Sequence, residues 1–404
     1  MSTSLLYHAF GLQGYDYVRQ SFIAGSVVFW IKPKPKLVRC PECKHRRIIR
    51  RGSQERWLRT VPIGDKPVWL CVETPRIECR RCGCLRRINH PIAEPRRWHT
   101  KIFERYVLAL CKLMTLLDVA SLLGLGWDCV KDIFKRHLTR RYASPKLGRL
   151  KYIAIDEIAV RKGHKYLTLV MDLHTGAVIF VGDGKGAEAL DPFWARLRRS
   201  RARLKAVATD MSAAYISAVL ENLPGVALVF DHFHVVKLMN DKLSELRRKL
   251  YHELEGPLQK KALKGSRWVL LKNPDNLDHE RGERERLDEA LKLNEPLAMA
   301  YYLKEDLRQI WSQRDKMTAA RVLDDWIARA EASRVEPLMR MGATLAAYRT
   351  GILAWYDHSI SSGPMEGTNN KIKTMKRQAY GFRDMEFFKL RIMGIHEAKY
   401  SLAG

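Results

Sequence analysis

The sequence lacks a long apolar run and the basic start of a secretory signal. No run reaches the roughly 18 apolar residues that a membrane-spanning helix needs. The most apolar stretch, 106–127, contains Lys112 and Asp118. No basic residue precedes Arg19, whereas a secretory signal would require a positively charged start. We therefore expect a cytoplasmic protein without a membrane partner.

Acidic residues are scarce relative to basic ones. The 404 residues include 72 Lys and Arg but only 44 Asp and Glu, which gives a net charge of +28. Residues 1–150 hold 30 of the basic residues and 11 of the acidic ones, a net charge of +19. This excess indicates a polyanionic partner, most simply DNA, bound mainly by the N-terminal part of the chain. A generic basic surface is the alternative.

Repeats, low-complexity tracts and a Walker-type glycine-rich loop are also missing. The last absence argues against a nucleotide cofactor of that kind. With 46% hydrophobic and 29% charged residues, the composition is typical of a globular protein, and 404 residues are enough for two or three domains.

Cysteine is concentrated in one segment. Six of the eight cysteines lie between Cys40 and Cys84, and two Cys-x-x-Cys pairs are 35 residues apart. Four thiolates at this kind of spacing predict one structural, tetrahedral Zn²⁺ per chain. Its ligands would be Cys40, Cys43, Cys79 and Cys82. Cys84 is a rival ligand, and four reduced thiols without metal are the alternative.

Two local patterns accompany the cysteines. Apolar runs on either side of Gly64-Asp65 predict a β-hairpin between the two cysteine pairs. A short apolar helix, a turn at Gly124/Gly126 and an amphipathic helix over 127–138 predict a helix-turn-helix, with a plain helical hairpin as the alternative. The basic residues expected to contact DNA here are Arg46, Arg47, Arg50, Arg51, Lys131, Lys135 and Arg136.

The middle of the chain alternates short apolar strands with helices. Three strands are followed by a helix, a strand, a helix and a strand, which is the order of a ribonuclease-H-like fold. The predicted strands and helices are 151–160, a hairpin over 165–181, 187–203, 205–210, 213–223 and 227–234. Since the first and fourth strands of such a sheet are neighbours, we expect Asp156 and Asp210 to lie together.

Residues 238–357 show no comparable strand and have helical spacing of leucines, which predicts an all-helical insertion. Its tryptophans are expected to pack in a core, with base stacking by one of them as the alternative; they are Trp268, Trp311, Trp326 and Trp355. The predicted domains are 1–95 (zinc module), 96–145 (helix-turn-helix), 146–237 and 358–404 (catalytic domain) and 238–357 (insertion).

A third acid follows the insertion. Gly363 and Pro364 mark a helix start, and Glu366 falls in the first turn. Asn370, Lys373 and Arg377 share its face and are expected to contact DNA. Taken alone, Glu366 is equally typical of a capping carboxylate. Together with Asp156 and Asp210, it supplies the carboxylates that two Mg²⁺ (or Mn²⁺) ions need for phosphodiester chemistry.

Four segments carry a resemblance to a known family. IAIDE, VATDMSAAY, DHFHVVKLMN and SGPMEGTNNKIK, together with the cysteine module, resemble the DDE transposases of the IS-L-three (ISL3) group of bacterial insertion sequences. The resemblance implies Asp156, Asp210 and Glu366 as the catalytic triad, and favours Asp156 over its neighbour Glu157. Asp231 and His234 are similar to the Asp-x-x-His pair of several such families. His234 would position DNA or the scissile phosphate, or else make a strand-end hydrogen bond.

The resemblance also implies a function. The chain would bind the terminal inverted repeats of a mobile element, hydrolyse phosphodiester bonds at the element ends and join the 3′-OH ends to target DNA. Its partners would be double-stranded DNA and at least one further copy of the chain, at the bacterial nucleoid. The alternatives are a structure-selective nuclease of the same fold and a non-catalytic DNA-binding regulator.

Overall fold

The computed structural model describes residues 5–161, 165–292 and 294–397. The chain divides into two compact units, Met1–Ala143 with His396–Gly404, and Ser144–Ile395. Within the described residues, no helix is both long enough and apolar enough to cross a membrane.

A five-stranded sheet forms the base of the first unit. Its strands are β1 (Tyr15–Ile23), β2 (Ser26–Pro33), β3 (Ile48–Ile63), β4 (Lys66–Cys79) and β5 (Leu85–Arg87). The strand order is β1-β2-β4-β3, and β5 pairs with β4 outside this path. The predicted hairpin is confirmed, because Ile63 pairs with Lys66 and Gly64 takes the positive φ of 58° that the turn requires. β1 and β2 were not predicted.

Four helices complete the first unit: α1 (Leu5–Phe10), α2 (Lys101–Leu113), α3 (Leu116–Leu123) and α4 (Trp127–Tyr142). Thr115 and Asp118 form a reciprocal capping box that begins α3, and Gly124 ends it with a left-handed φ of 59°. α3 and α4 are the two predicted helices, and α4 continues one turn past the predicted end. Phe103, Val119 and Val130 are buried in the core that joins α2, α3 and α4.

The second unit is built on a mixed sheet. Its strands are β6 (Tyr152–Arg161), β7 (Lys165–Asp172), β8 (Ala177–Asp183), β9 (Ala206–Thr209) and β10 (Ala227–Phe230). The order is β10-β9-β6-β7-β8. β9 lies parallel to β6, as predicted for the first and fourth strands, and β10 lies parallel to β9. Ile155 pairs with Thr209 and Thr209 with Phe230, so β9 and β10 end level with Ile155, while β6 continues to Arg161 beside β7.

Two helices cover one face of this sheet. They are α5 (Asp191–Arg198) and α6 (Ala213–Asn222), and their buried side chains Trp194, Tyr215 and Val219 pack in one core with Ile153 and Val207 of the strands. A single helix over 187–203 was predicted. The structure has a 3₁₀ turn at Ala187–Leu190 followed by the shorter α5, with a proline in the first turn of α5.

The predicted strand over 227–234 is wrong in its second half. β10 ends at Phe230 and α7 begins at His232, because the Asp231 side chain accepts the Phe233 N–H and caps the helix. His234 therefore lies in the first turn of a helix. The predicted boundary at 238 falls inside α7 (His232–Glu253), which runs without a break from the sheet into the helical region.

The helical region contains no strand in its described part, 238–292 and 294–357. Its further helices are α8 (Pro257–Leu263), α9 (Arg267–Leu271), α10 (Glu283–Lys292), α11 (Glu295–Leu307), α12 (Lys316–Ala332), α13 (Glu336–Ala347) and α14 (Arg349–Leu353). Leu246, Leu323 and Trp326 are buried in one core. The expectation of core packing is wrong for Trp268, which is 67% exposed. Two helices, α15 (Gly363–Gln378) and α16 (Met385–Met393), follow this region.

Candidate metal centre and acidic site

The four predicted zinc ligands form one compact cluster. The sulfur atoms of Cys40, Cys43, Cys79 and Cys82 all lie within 4.8 Å of one another. Cys40 Sγ is 3.6 Å from Cys82 Sγ, and Cys43 Sγ is 3.5 Å from Cys79 Sγ. Cys84, the rival ligand, is not a member of this group. Four converging thiols are the donor set of a closed structural zinc site.

The same backbone geometry holds both cysteine pairs. In the first pair, the Lys44 N–H donates to the Cys40 carbonyl and the Cys40 N–H donates to the His45 carbonyl. In the second pair, Gly83 donates to Cys79, and Cys79 donates to Cys84, in the same way. Lys44 and Gly83 both have positive φ, 59° and 65°. The chain thus builds two equivalent turns that aim four sulfur atoms at one point.

Two of the four thiols, Cys40 and Cys79, also have a lowered pKa, whereas that of Cys82 is raised. Burial raises the pKa of the Cys40 thiol, but hydrogen bonds from the backbone of Cys43 and Glu42 outweigh this and set the pKa at about 6. Backbone N–H groups of Cys82 and Arg81 lower the pKa of Cys79. Backbone donors that favour a thiolate at neutral pH favour a metal-bound state as well.

The basic residues near the cysteines and on α4 differ in their surroundings. Arg46, Arg47 and Arg50 are exposed, whereas the Arg51 guanidinium pairs with Glu78 at 2.8 Å. Arg136 was expected to face outward, but it is partly buried and its guanidinium contacts Glu104 at 3.1 Å. This correction has a simple cause, since α2 packs against α4 and supplies the carboxylate.

Lys131 and Lys135, the other two basic residues predicted on α4, are partly buried. The Lys131 Nζ lies 5.2 Å from the centre of the Trp127 ring, on the same helix. This distance is that of a cation–π contact.

The parallel strands of the second unit bring acidic residues to one edge. Asp156, Asp210 and Asp231 are the residues that follow the paired positions Ile155, Thr209 and Phe230. Asp156 and Asp210 are close enough for the charge of Asp210 to act on Asp156. Burial raises the pKa of Asp156, and the charge of Asp210 raises it further. The predicted approach of these two acids is therefore present in the structure.

Asp156 is held from two sides. Its Oδ1 accepts the backbone N–H of Glu157 at 2.8 Å, and its Oδ2 accepts the side-chain amide of Asn369 at 2.7 Å. His234 lies near enough for its charge to lower the pKa of Asp156, which opposes the effect of burial. Asp156 thus contacts α15 and lies near α7, at the point of β6 where the pairing with β9 ends.

The neighbouring Glu157 belongs to a different set of contacts. Burial raises its pKa, and the charges of Asp210 and Asp156 act in the same direction. The Tyr215 hydroxyl of α6 acts in the opposite direction on the pKa of Glu157, and it lies 2.9 Å from Thr168 Oγ1. Glu157 is therefore close enough to α6 to be influenced by it, whereas Asp156 contacts α15.

Asp231 makes a structural link. It is 1% exposed, and its Oδ2 accepts both the backbone N–H and the hydroxyl of Ser362 at 2.7 Å. Its Oδ1 accepts the Phe233 N–H at 2.9 Å. One carboxylate therefore fixes the start of α7 and the residue before α15, and its oxygens are occupied by donors from the protein.

Glu366 lies in the first turn of α15 and is exposed, as are Asn370, Lys373 and Arg377, so the predicted common face is present. Asn369, one turn after Glu366, is the residue of α15 that contacts Asp156. In the described residues, the four cysteines are the sole group of three or more His, Cys, Asp or Glu ligand atoms within 4.8 Å. Glu366 therefore lies one turn of α15 from a residue that contacts Asp156, and the three acids do not form such a group.

Asn369 was missed by the sequence analysis, which selected its neighbour Asn370. The buried residues of α15 are Met365, Thr368, Asn369, Ile372 and Met375. This helical spacing of apolar residues identifies Asn369 as inward-facing, because it falls between Met365 and Ile372 on the same stripe. A polar residue on a buried stripe was the available signal.

Comparisons with known proteins agree with these features. Three family models match: a zinc finger of insertion-sequence transposases over residues 36–82, the helix-turn-helix domain of transposase family ISL3 over 88–138, and the ISL3 DDE transposase domain over 153–392. The last match covers more than half of the chain.

Two curated relatives are similar over most of their length. The transposase for insertion sequence element IS1001 of Bordetella parapertussis is 33% identical over 95% of both chains. The transposase for IS1557 of Mycobacterium tuberculosis is 28% identical over 88% of this chain and 85% of the relative. In a solved structure, the Drosophila P element transposase strand transfer complex, the match covers 63% of this chain and 78% of that chain, at 11% identity. Its TM-score of 0.34 does not establish a shared fold. The family models and the relatives together show that this chain belongs to the ISL3 family of DDE transposases.

Proposed function

We propose that this transposase binds the terminal inverted repeats of its element through the first unit, and cleaves and joins DNA with Asp156, Asp210 and Glu366 of the second unit. The observation that carries the proposal is the edge of the parallel strands. There, Asp156 and Asp210 follow paired residues of neighbouring strands, and α15 contacts Asp156 through Asn369.

The strand order supports a ribonuclease-H-like catalytic domain. Three antiparallel strands, β6 to β8, are followed by β9 and β10 on the other side of β6. Helices α7 to α14 stand between β10 and α15, as expected for an all-helical insertion within that domain. We propose that the catalytic domain continues after this insertion with α15 and α16.

Asp156 and Asp210 would hold two Mg²⁺ (or Mn²⁺) ions, with Glu366 contributing a further oxygen. Carboxylate oxygens are the donors that these hard cations prefer, and crowded carboxylates whose pKa is raised gain from a nearby cation. When bound, the ions activate an attacking oxygen and stabilise the leaving one. Asn369 holds the Asp156 carboxylate in place, and His234, beside Asp156, would position the scissile phosphate.

The first unit would recognise the element ends. Its four-cysteine cluster would bind one Zn²⁺, which fixes the two turns and the arginines that follow the first one. The proposed phosphate and base contacts are Arg46, Arg47, Arg50, Arg51, Lys131 and Lys135, with Asn370, Lys373 and Arg377 on the exposed face of α15 that carries Glu366. Two ends must be held at once, so we propose at least a dimer on double-stranded DNA, acting at the bacterial nucleoid in the cytoplasm.

The test is metal-dependent cleavage of DNA that carries the element end. Asp156→Asn, Asp210→Asn and Glu366→Gln should each lower the cleavage rate about a thousandfold, because each removes part of a site worth several kcal/mol to the transition state. Binding of the uncut end should stay unchanged. Glu157→Gln is the matched control, since this neighbouring carboxylate is not assigned to the metal ions and its loss should cost far less.

Transfer of labelled 3′ ends into a second DNA separates a transposase from a nuclease of the same fold. We expect joined products from the wild-type protein, with Mg²⁺ and at the element ends. Cleavage without any joining would favour the nuclease, and full activity of Asp156→Asn would overturn the assignment of the acids.

A further inference from the structure

An exposed tryptophan lies within a basic segment of the helical region. Trp268 of α9 is 67% exposed, although a residue of this size is normally covered. The Arg267 guanidinium lies 5.1 Å from the centre of its ring, which is a cation–π distance. This pair presents a flat aromatic face with a positive charge beside it.

The charge around this pair is not neutralised. Residues 247–268 hold seven Lys and Arg against two Glu, in the part of the chain after residue 150 that is otherwise close to balance. The charges of Arg267 and Arg248 lower the pKa of Arg247, after the larger effect of its burial. Arg248, Lys264 and Arg267 are exposed, and among the described residues no carboxylate pairs with them. Clustered guanidinium groups of this kind gain free energy when a polyanion binds.

We propose that the surface formed by Arg248, Lys264, Arg267 and Trp268 is a second DNA-binding site, which takes single-stranded or unpaired DNA. The arginines and the lysine contact phosphates, and Trp268 stacks on a base that is free of its pairing partner. Fully paired DNA offers phosphates but no accessible base face, so the surface prefers strands that have been opened. The inference rests on the proposed function only in that the chain acts on DNA.

The test is DNA binding by the full-length, zinc-loaded protein without added Mg²⁺. Two labelled DNAs are compared by fluorescence anisotropy: a blunt duplex of the element end, and the same duplex with a single-stranded extension. Trp268→Ala should weaken binding of the extended DNA about tenfold and leave the blunt duplex unchanged. Trp268→Phe should restore most of the loss, because a smaller ring still stacks.

A matched control comes from the same helical region. Tyr302 of α11 is 60% exposed, and Tyr302→Ala should bind both DNAs like the wild-type protein. The double variant Arg248→Ala/Arg267→Ala should reduce the slope of log affinity against log salt by about 1.5 on the extended DNA. Equal binding of the extended DNA by Trp268→Ala and wild type would overturn the proposal, and so would an equal loss in Tyr302→Ala. Neither outcome touches the assignment of the acids, which depends on cleavage by Asp156→Asn.

A separate observation concerns Asn369. This residue is 8% exposed, and its amide nitrogen donates to Asp156 Oδ2 at 2.7 Å. Its amide oxygen is buried and has no hydrogen-bond partner among the described residues. A buried acceptor without a donor is unfavourable unless a further group completes the site.

We infer that Asn369 is a positioning residue of the proposed Mg²⁺ site. Its amide nitrogen fixes the rotation of the Asp156 carboxylate, and its amide oxygen is the acceptor left for a donor that arrives with the hydrated cation. The inference deepens the proposed function, on which it rests. Outer partners of metal ligands typically change metal affinity by about 10- to 100-fold when they are removed.

The test measures Mn²⁺ binding to the zinc-loaded protein by calorimetry, without DNA. Asn369→Ala should weaken Mn²⁺ binding about tenfold. A neighbour on α15 is the control: Thr368→Ala removes a buried hydroxyl that bonds only the Pro364 carbonyl of its own helix. This variant should bind Mn²⁺ like the wild-type protein, although its melting temperature is expected to fall.

Wild-type Mn²⁺ affinity in Asn369→Ala would overturn this inference, as would an equal loss in Thr368→Ala. Failure of the proposed function gives a different result, because Asp156→Asn would then retain the affinity of the wild-type protein. Loss in Asp156→Asn with no loss in Asn369→Ala would leave the acids assigned and remove Asn369 from the site.

Discussion

The cysteine cluster and the acidic site differ in how far the protein has assembled them. Four sulfur atoms already lie within 4.8 Å of one another, whereas the oxygens of Asp156, Asp210 and Glu366 do not gather in this way. The cysteines are placed by two short turns with repeated backbone hydrogen bonds. The acids come from two strands and a helix that are far apart in sequence. Two local turns and the pairing of β3 with β4 are therefore sufficient for the first site, whereas the second depends on the whole unit.

The chemistry of the ligands explains the same difference. A thiolate such as that of Cys40 is stabilised by backbone N–H groups and by neighbouring thiols, but carboxylates in a buried place repel one another until a cation is present. Burial and the charge of Asp210 raise the pKa of Asp156 accordingly. The protein fixes the acidic site through neutral or already satisfied contacts instead, namely Asn369 on Asp156 and Ser362 on Asp231.

The largest expected effect is removal of zinc. Cys43→Ser, or a chelator, should release about one zinc per chain and destabilise the cysteine end of the first unit on the order of 10 kcal/mol, as in other structural zinc sites. Affinity for the element end should fall with it. Amide hydrogen exchange should become faster around 38–48 and 77–88, where the cysteine core lies. The rest of the sheet should change less, because Leu58, Val68 and Leu70 belong to a separate core. Uniform exchange across the whole sheet would contradict this division.

The second prediction is that the two units respond to acid with opposite sign. Burial, helped by the charge of Arg56, lowers the pKa of His90 from 6.5 to about 4. His90 is neutral between the Tyr15 hydroxyl and Thr74 Oγ1, so its contribution to the stability of the first unit is complete above pH 6.5. It is lost as the pH falls through 4, which costs the first unit about 3 kcal/mol.

In the second unit, the raised pKa values of Asp156 and Glu157 act the other way. The loss of stability that these two carboxylates cause is absent below the ordinary carboxyl pKa of about 4. It grows as the pH rises through their raised pKa values. Exchange rates of the two units at pH 7 and pH 4.5 test the difference. His90→Gln is the control, and it should flatten the acid response of the first unit only. If the first unit of His90→Gln were as sensitive to acid as that of the wild-type protein, the acid response would come from the cysteine thiols instead.

The third prediction concerns cation binding at the acids. Mg²⁺ at about 100 times its dissociation constant should stabilise the second unit by about 2.7 kcal/mol, and Asp156→Asn should abolish this gain. Without Mg²⁺, the same variant should be as stable as the wild-type protein at pH 7 or more stable, because a buried charge is gone. Thermal unfolding with and without Mg²⁺ measures both effects. A destabilised metal-free Asp156→Asn would mean that the charge supports the fold.

Several patterns within about twenty residues were predicted correctly from the sequence, although the single helix over 187–203 and the second half of the strand over 227–234 were wrong. The Gly64-Asp65 hairpin, the two Cys-x-x-Cys pairs and the α3–α4 pair follow from spacing and turn residues alone. The neighbouring position of β6 and β9 followed from the order of strands and helices. Elements without a strong periodic or turn signal, such as β1 and β2, were not predicted.

Side-chain partners were the part that local patterns could not supply. Arg136 was read as an outward cation, but its partner Glu104 lies 32 residues away on another helix. Asp231 was read as a strand end, and its partner Ser362 lies 131 residues away. Asn369 was passed over for Asn370: the apolar stripe of α15 places it inward, but its partner Asp156 lies 213 residues away. Contacts across such distances require the assembled unit.

The smallest expected effect compares the two cysteine turns with each other. Gly83 and Lys44 occupy equivalent positions with φ near +60°, where a residue with a Cβ is strained by about 1–2 kcal/mol. No atom lies within 4 Å of a Cβ built on Gly83, so Gly83→Ala tests backbone strain without a clash. It should weaken zinc binding about fivefold in competition with a chromophoric chelator. Lys44→Ala should change the affinity little, because the strain is already present there. Equal losses in the two variants would mean that the turns differ in more than this residue.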